Sequence, residues 1–91
     1  MGSSGQIETN ADVKNGIVSC TLNLALVYIK QKEFKLAMEI SDEALKIDPH
    51  SIKAYYRRGQ AQNGLNLKGE AIKDFEVVLE KQPSNKEAKN A

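Results

Sequence analysis

Apolar residues along this chain recur at helical spacing. Ile17, Cys20, Leu24, Val27 and Tyr28 fall at steps of three, four, three and one, which gathers them on one side of a helix of 3.6 residues per turn. No comparable two-residue alternation occurs, so strands are not expected. The pattern predicts four helices, near 12–31, 34–47, 52–65 and 68–81. Asn10 is the expected N-cap of the first and Ser51 of the third, because their side-chain oxygens can accept an otherwise orphaned backbone N–H. Asn15-Gly16 is a weak point that could delay the first start. Each of the two prolines directly follows a helical stretch, in Ile47-Asp48-Pro49 and Lys81-Gln82-Pro83, and the two lie 34 residues apart. Sliding the chain against itself by 34 places Ala37 on Ala71, Leu45 on Leu79, Ala54 on Ala88, Val18 on Ile52 and Val27 on Ala61. Small or apolar residues meet small or apolar residues throughout, which is an internal repeat. A period of this length made of two helical patterns predicts an all-α helix-turn-helix solenoid whose units, 18–51 and 52–85, bury their apolar faces against neighbours. Beyond Pro83, Ser84 to Lys89 reads as the opening of a further helix over 85–91, so both ends are expected to be edges of a longer array.

Length narrows this picture. Of 91 residues, Met1 to Gly5 (MGSSG) read as a cloning remnant, leaving one small repeat domain over 6–91. Apolar residues at 41% can supply a core and charged residues at 27% a hydrated surface. Thirteen basic and twelve acidic side chains leave a net charge of +1, and acids such as Glu39, Asp42, Glu43, Asp74 and Glu76 are spread along the second and fourth helices, which disfavours a nucleic-acid partner. The longest apolar run, Leu24 to Ile29, has six residues and falls far short of the roughly 20 needed to span a bilayer. A single Cys20 and a single His50 make neither a disulfide nor a metal site, so no metal or cofactor is implied, and a reducing, cytoplasmic setting fits. Nothing resembles a nucleophile with its base or a glycine-rich phosphate loop, and no enzymatic activity is expected of these residues.

With the phase set by the prolines, both units resemble the tetratricopeptide repeat. The first supplies Leu24, Ala25, Tyr28, Ala37, Ala44 and Pro49, and the second supplies Tyr55, Gly59, Ala71, Phe75 and Pro83. Departures from the pattern are Thr21, Ser41, Arg58, Gln62 and Val78, with Arg58 standing where leucine is usual. The small residues are expected to let paired helices cross closely at Ala25/Ala37 and Gly59/Ala71. Cys20-Thr-Leu-Asn23-Leu-Ala-Leu-Val-Tyr28-Ile-Lys30 and Lys53-Ala-Tyr-Tyr-Arg57-Arg-Gly59-Gln-Ala61 further resemble the second and third repeats of chaperone-binding co-chaperones of the large-immunophilin type. That resemblance implies a protein-binding module for the acidic Glu-Glu-Val-Asp tail of the ninety- or seventy-kilodalton heat-shock chaperones. It also implies that a prolyl isomerase domain can lie elsewhere in the parent protein. The family's carboxylate clamp maps onto Asn23, Lys53 and Arg57, three of its five positions; the other two belong to a preceding repeat.

The chemistry of these three residues suits the task. Asn23 and Arg57 are 34 apart and so share one position in successive repeats, while Lys53 lies one turn before Arg57. The planar fork of arginine bonds carboxylates bidentately, lysine adds a mobile point charge, and asparagine adds a neutral donor. Lys30 and Gln60 are secondary candidates bordering the groove. The alternative is a structural scaffold that packs a partner helix by shape, with the cations an ordinary solvated face. Tyr28, Tyr55 and Phe75 are expected to pack between helices, with Tyr56 between packing and groove. Cys20 is expected to be small and buried, and His50 to face solvent. The stem of Arg58 is expected along the helix pair with its guanidinium at the edge, so that leucine there would leave stability unchanged or raise it. Uncovered apolar faces at the chain's two ends predict self-association or helix exchange.

Overall fold

The computed structural model describes residues 2–82, with side chains from Val13 onward. The second proline and the helix expected over 85–91 lie outside the described residues. Four helices follow one another: α1 (Gly2–Lys30), α2 (Phe34–Ile47), α3 (Ile52–Gly64) and α4 (Lys68–Lys81). The expected bounds of α2 and α4 hold, and α3 ends one residue early. The start of α1 is corrected: the helix is continuous from Gly2, so Asn10 lies inside it and not at its start. Asn15-Gly16 does not interrupt it either. A single mid-helix glycine costs only about 1 kcal/mol, too little to break a helix whose later turns are held by packing. Ser51 does cap α3, its side chain accepting the N–H of Ala54 at 3.2 Å.

The 34-residue period is carried into backbone detail. The helix-A-to-helix-B turns pass through Lys32 and Asn66, both with φ of 63°. After each, the chain closes the helix with a long-range bond: Glu33 N–H to the Tyr28 carbonyl and Leu67 N–H to the Gln62 carbonyl, both 2.8 Å. This left-handed residue followed by a six-to-one bond is the Schellman arrangement, which satisfies carbonyls the helix leaves unpaired. Asparagine tolerates the left-handed region and lysine is the less usual occupant.

α1 packs on α2 and α3, and α3 is held between α2 and α4. One apolar cluster joins Val18 and Leu22 of α1 to Ala44 of α2 and Ala54 of α3, with Leu45 against it. A second joins Ala71, Phe75 and Val78 of α4 to Ile52, Tyr55 and Tyr56 of α3 and to Leu79. Ala25 and Ala37 are fully buried, as the close crossing requires. Gly59 is buried under the ring of Phe75, so near that a Cβ there would stand 2.7 Å from Phe75 Cε1. Tyr55 and Tyr56 thus belong to packing, the Tyr56 and Phe75 ring centroids lying 5.8 Å apart. Ser41, a departure from the repeat pattern, is buried with its hydroxyl donating to the Ala37 carbonyl at 2.8 Å, so its polarity is satisfied within its own helix. His50 is exposed as expected. Cys20 is a second correction: it is exposed, whereas Ala54, its counterpart one repeat later, is fully buried. Ala54 is covered by Val18 and Leu22 of α1 and Ala44 of α2, and among the described residues no helix covers Cys20.

Candidate carboxylate-binding face

α1 and α3, the first helices of the two repeats, are in contact, with Val18 and Leu22 of α1 packed in one cluster with Ala54 of α3. Asn23 is exposed on α1, Lys53 is exposed on the first turn of α3, and Arg57 is half-buried one turn later. Lys30, in the last turn of α1, is exposed. Among the described residues, neither Lys53 nor Arg57 has a carboxylate partner. The guanidinium of Arg57 instead donates from Nη1 to Gln60 Oε1 at 3.0 Å. It also lies 5.7 Å from the centroid of the Tyr56 ring. Gln60, a secondary candidate, thus contacts Arg57 through its side-chain oxygen. A neutral acceptor orients the fork without cancelling its charge. Arg57 Nε is buried without a hydrogen-bond partner. This turn of α3 is thus cationic with bonding capacity unspent, and Asn23 is an exposed neutral amide on α1.

Arg58 stands in contrast to its neighbour. It donates from Nε to Asp74 Oδ2 at 2.8 Å, from Nη2 to Asp74 Oδ1 at 2.9 Å and from Nη1 to Asp42 Oδ1 at 2.9 Å. The same guanidinium lies 5.5 Å from the centroid of the Tyr55 ring. The two hydrogen bonds to Asp74 are the chief reason its protonated form is favoured above the ordinary arginine range; burial opposes this and Asp42 adds to it. The Asp74 side chain is only 7% exposed. Sequence reasoning expected an edge guanidinium here and gave Asp74 no partner. The structure corrects both: Arg58 ties α2, α3 and α4 together. The signal in the sequence was that Asp42 and Asp74 stand 16 residues to either side of Arg58.

An open depression of about 520 Å³ is lined by Glu39, Asp42, Glu43, Leu45, Lys46 and Arg58. With three carboxylates, and with Lys46 already paired to Glu43 at 3.2 Å, it repels an anion. No group of three metal-ligating side chains occurs among the described residues, and no described helix is long and apolar enough to cross a membrane.

Tetratricopeptide repeat profiles match residues 20–51 and 53–85, in the phase that the prolines and turns define. The chain belongs to the tetratricopeptide repeat family. FK506-binding protein 59 of Drosophila melanogaster is 36% identical over 84 residues, covering 92% of this chain and 19% of that protein. This tetratricopeptide chain therefore spans about a fifth of the length of that relative. Among solved structures, the first such domain of Spaghetti (RPAP3) bound to the HSP90 peptide SRMEEVD superimposes with a TM-score of 0.78 at 38% identity, covering 81% of this chain and 60% of that one. The second such domain of human RPAP3, in complex with the HSP70 peptide SGPTIEEVD, gives 0.76 at 34% identity, covering 82% and 63%.

Proposed function

We propose that this chain is a protein-binding adaptor module that grips the acidic C-terminal tail of an HSP90- or HSP70-type chaperone through Asn23, Lys53 and Arg57. Lys30 and Gln60 border the same groove. The observation that carries the reading is the division of labour between adjacent arginines. Arg58 is consumed by two carboxylates, while Arg57 keeps its charge, bonded only to the neutral Gln60. A tail ending in an acidic residue offers two carboxylates at one point, which a guanidinium, an ammonium and an amide at one-turn and one-repeat spacing can share. The two solved structures with bound peptides ending in EEVD support the same chemistry. In this reading the parent protein is a cytoplasmic co-chaperone of the large-immunophilin type. The module docks domains encoded elsewhere in the parent, a prolyl isomerase among them, and has no catalytic role of its own.

The test is titration of a labelled peptide ending in Glu-Glu-Val-Asp. Arg57→Ala or Lys53→Ala is expected to weaken binding about ten- to a hundredfold, since charge-assisted hydrogen bonds contribute roughly 1.5 to 3 kcal/mol each. Amidating the peptide's C-terminus should cost a similar factor, and Lys68→Ala should cost almost nothing because a distant exposed lysine offers only screened attraction. Binding within twofold of the parent for Arg57→Ala would overturn the assignment.

A further inference from the structure

Arg57 and Arg58 are neighbours on α3, and their guanidinium forks are filled to different degrees. Arg58 gives its Nε and Nη2 edge to the two oxygens of Asp74, at 2.8 and 2.9 Å, and its Nη1 to Asp42 at 2.9 Å. Arg57 gives its Nη1 to Gln60 Oε1 at 3.0 Å, and its Nε is buried without a partner. Gln60 therefore stands to Arg57 as Asp42 stands to Arg58, and no described residue plays for Arg57 the part of Asp74. A buried donor left unmade costs free energy, which a carboxylate bonded side-on to the same edge would recover.

The rest of the surroundings hold this fork from below. The guanidinium lies 5.7 Å from the centroid of the Tyr56 ring, and that ring packs on Phe75 with 5.8 Å between centroids. Phe75 is itself buried and closes on Gly59, so the ring beneath Arg57 is fixed by the core. The polar hold is Gln60. A guanidinium carries donors only, so the amide must turn its oxygen, not its NH2, toward Arg57. The neutrality of that oxygen matters: a carboxylate in its place would pair with Arg57 as Asp42 does with Arg58.

Building on the tail-binding function proposed above, we infer that Gln60 is a positioning residue for carboxylate recognition. By taking Nη1 it commits the Nε and Nη2 edge of Arg57 to the peptide, whose carboxylate binds there as Asp74 binds Arg58. Gln60 thus acts through Arg57 and makes no contact with the peptide itself.

A double-mutant cycle on the full 91-residue chain tests this, with a labelled peptide ending in Glu-Glu-Val-Asp as the probe. Gln60→Met keeps the length of the side chain and removes the acceptor. It is expected to weaken binding about threefold to tenfold, the scale of ordering one long side chain on association. In an Arg57→Ala background the same change should alter binding by less than about twofold, because its effect has no other route. A second measurement needs no altered side chain in the chain that binds. The Nε–H resonance of Arg57, assigned by its absence from the spectrum of Arg57→Ala, should move downfield when the peptide saturates the parent chain. An unchanged affinity for Gln60→Met, equal losses with and without Arg57, or an Nε–H resonance that the peptide leaves in place would overturn the inference and leave the tail-binding function standing. Parent-like binding by Arg57→Ala would overturn both.

Discussion

α1 and α3 are the same helix twice, one repeat apart, and nearly every difference between them follows from what lies alongside. α3 has α2 on one side and α4 on the other; α1 has α2 and α3 on one side and, among the described residues, nothing opposite. Slots filled by Ala54 and Ala61 in α3 are fully buried, and the same slots hold exposed Cys20 and Val27 in α1. The Leu24 slot, exposed in α1, becomes in α3 the Arg58 whose three hydrogen bonds reach both neighbouring helices. The Ala25 and Gly59 pair keeps the same outlook, buried in both helices. A repeat pattern therefore specifies a helix and its phase, while the burial of each slot is set by the neighbour.

The sharpest way to break the comparison is to make α3 resemble α1 at that slot. Arg58→Leu restores the residue usual for the repeat and removes both hydrogen bonds that Arg58 gives the buried Asp74 carboxylate. Leaving one member of a buried pair uncompensated costs about 3 to 5 kcal/mol, and the partial exposure of Arg58 and Asp42 puts the expectation near the lower end, about 3 kcal/mol. For a domain of this size that is a fall in Tm of roughly 10 to 20 °C. Thermal melts of Arg58→Leu and of Arg58→Leu with Asp74→Leu check it: the double variant should recover part of the loss, because no carboxylate is then left unpaired. A stable Arg58→Leu single variant would show that the buried Asp74 carboxylate does not depend on Arg58.

Next in size is the closest approach within the second repeat. Gly59→Ala drives a Cβ to 2.7 Å from the Phe75 ring. Phe75 is itself buried against Tyr55 and Tyr56, so the ring cannot swing away freely. A loss of about 2 kcal/mol is expected, typical of overpacking, and urea denaturation should show a lower midpoint with an unchanged slope.

How much of this was legible in the sequence follows the same division. The turns were legible because Pro49 and the 34-residue register fix them, and Lys32 and Asn66 repeat to the backbone angle. The proposed clamp rests on the repeat register, with Arg57 one period after Asn23 and Lys53 one turn before Arg57. The role of Arg58 was not legible, because its partners lie on two other helices. Cys20 was misread by assuming that a slot buried once is buried twice. The start of α1 was misread because a local cap signal at Asn10 was weighed without knowing that the helix continues through it.

Helix starts sharpen the comparison at smaller scale. Ser51, the cap of α3, occupies the slot of Ile17, and at that slot α1 runs on uninterrupted. Ser51→Ala should cost about 1 kcal/mol, the usual worth of a side-chain cap, read as a drop in Tm of several degrees.

The smallest effect has the opposite sign. Gly16 lies within α1, and a Cβ added there would meet nothing within 4 Å. Alanine removes the backbone freedom that glycine gives the unfolded chain, so Gly16→Ala should stabilise by about 0.5 to 1 kcal/mol. The same change at Gly59 is expected to destabilise, so the two glycine-to-alanine variants melted side by side compare an open helix with an enclosed one.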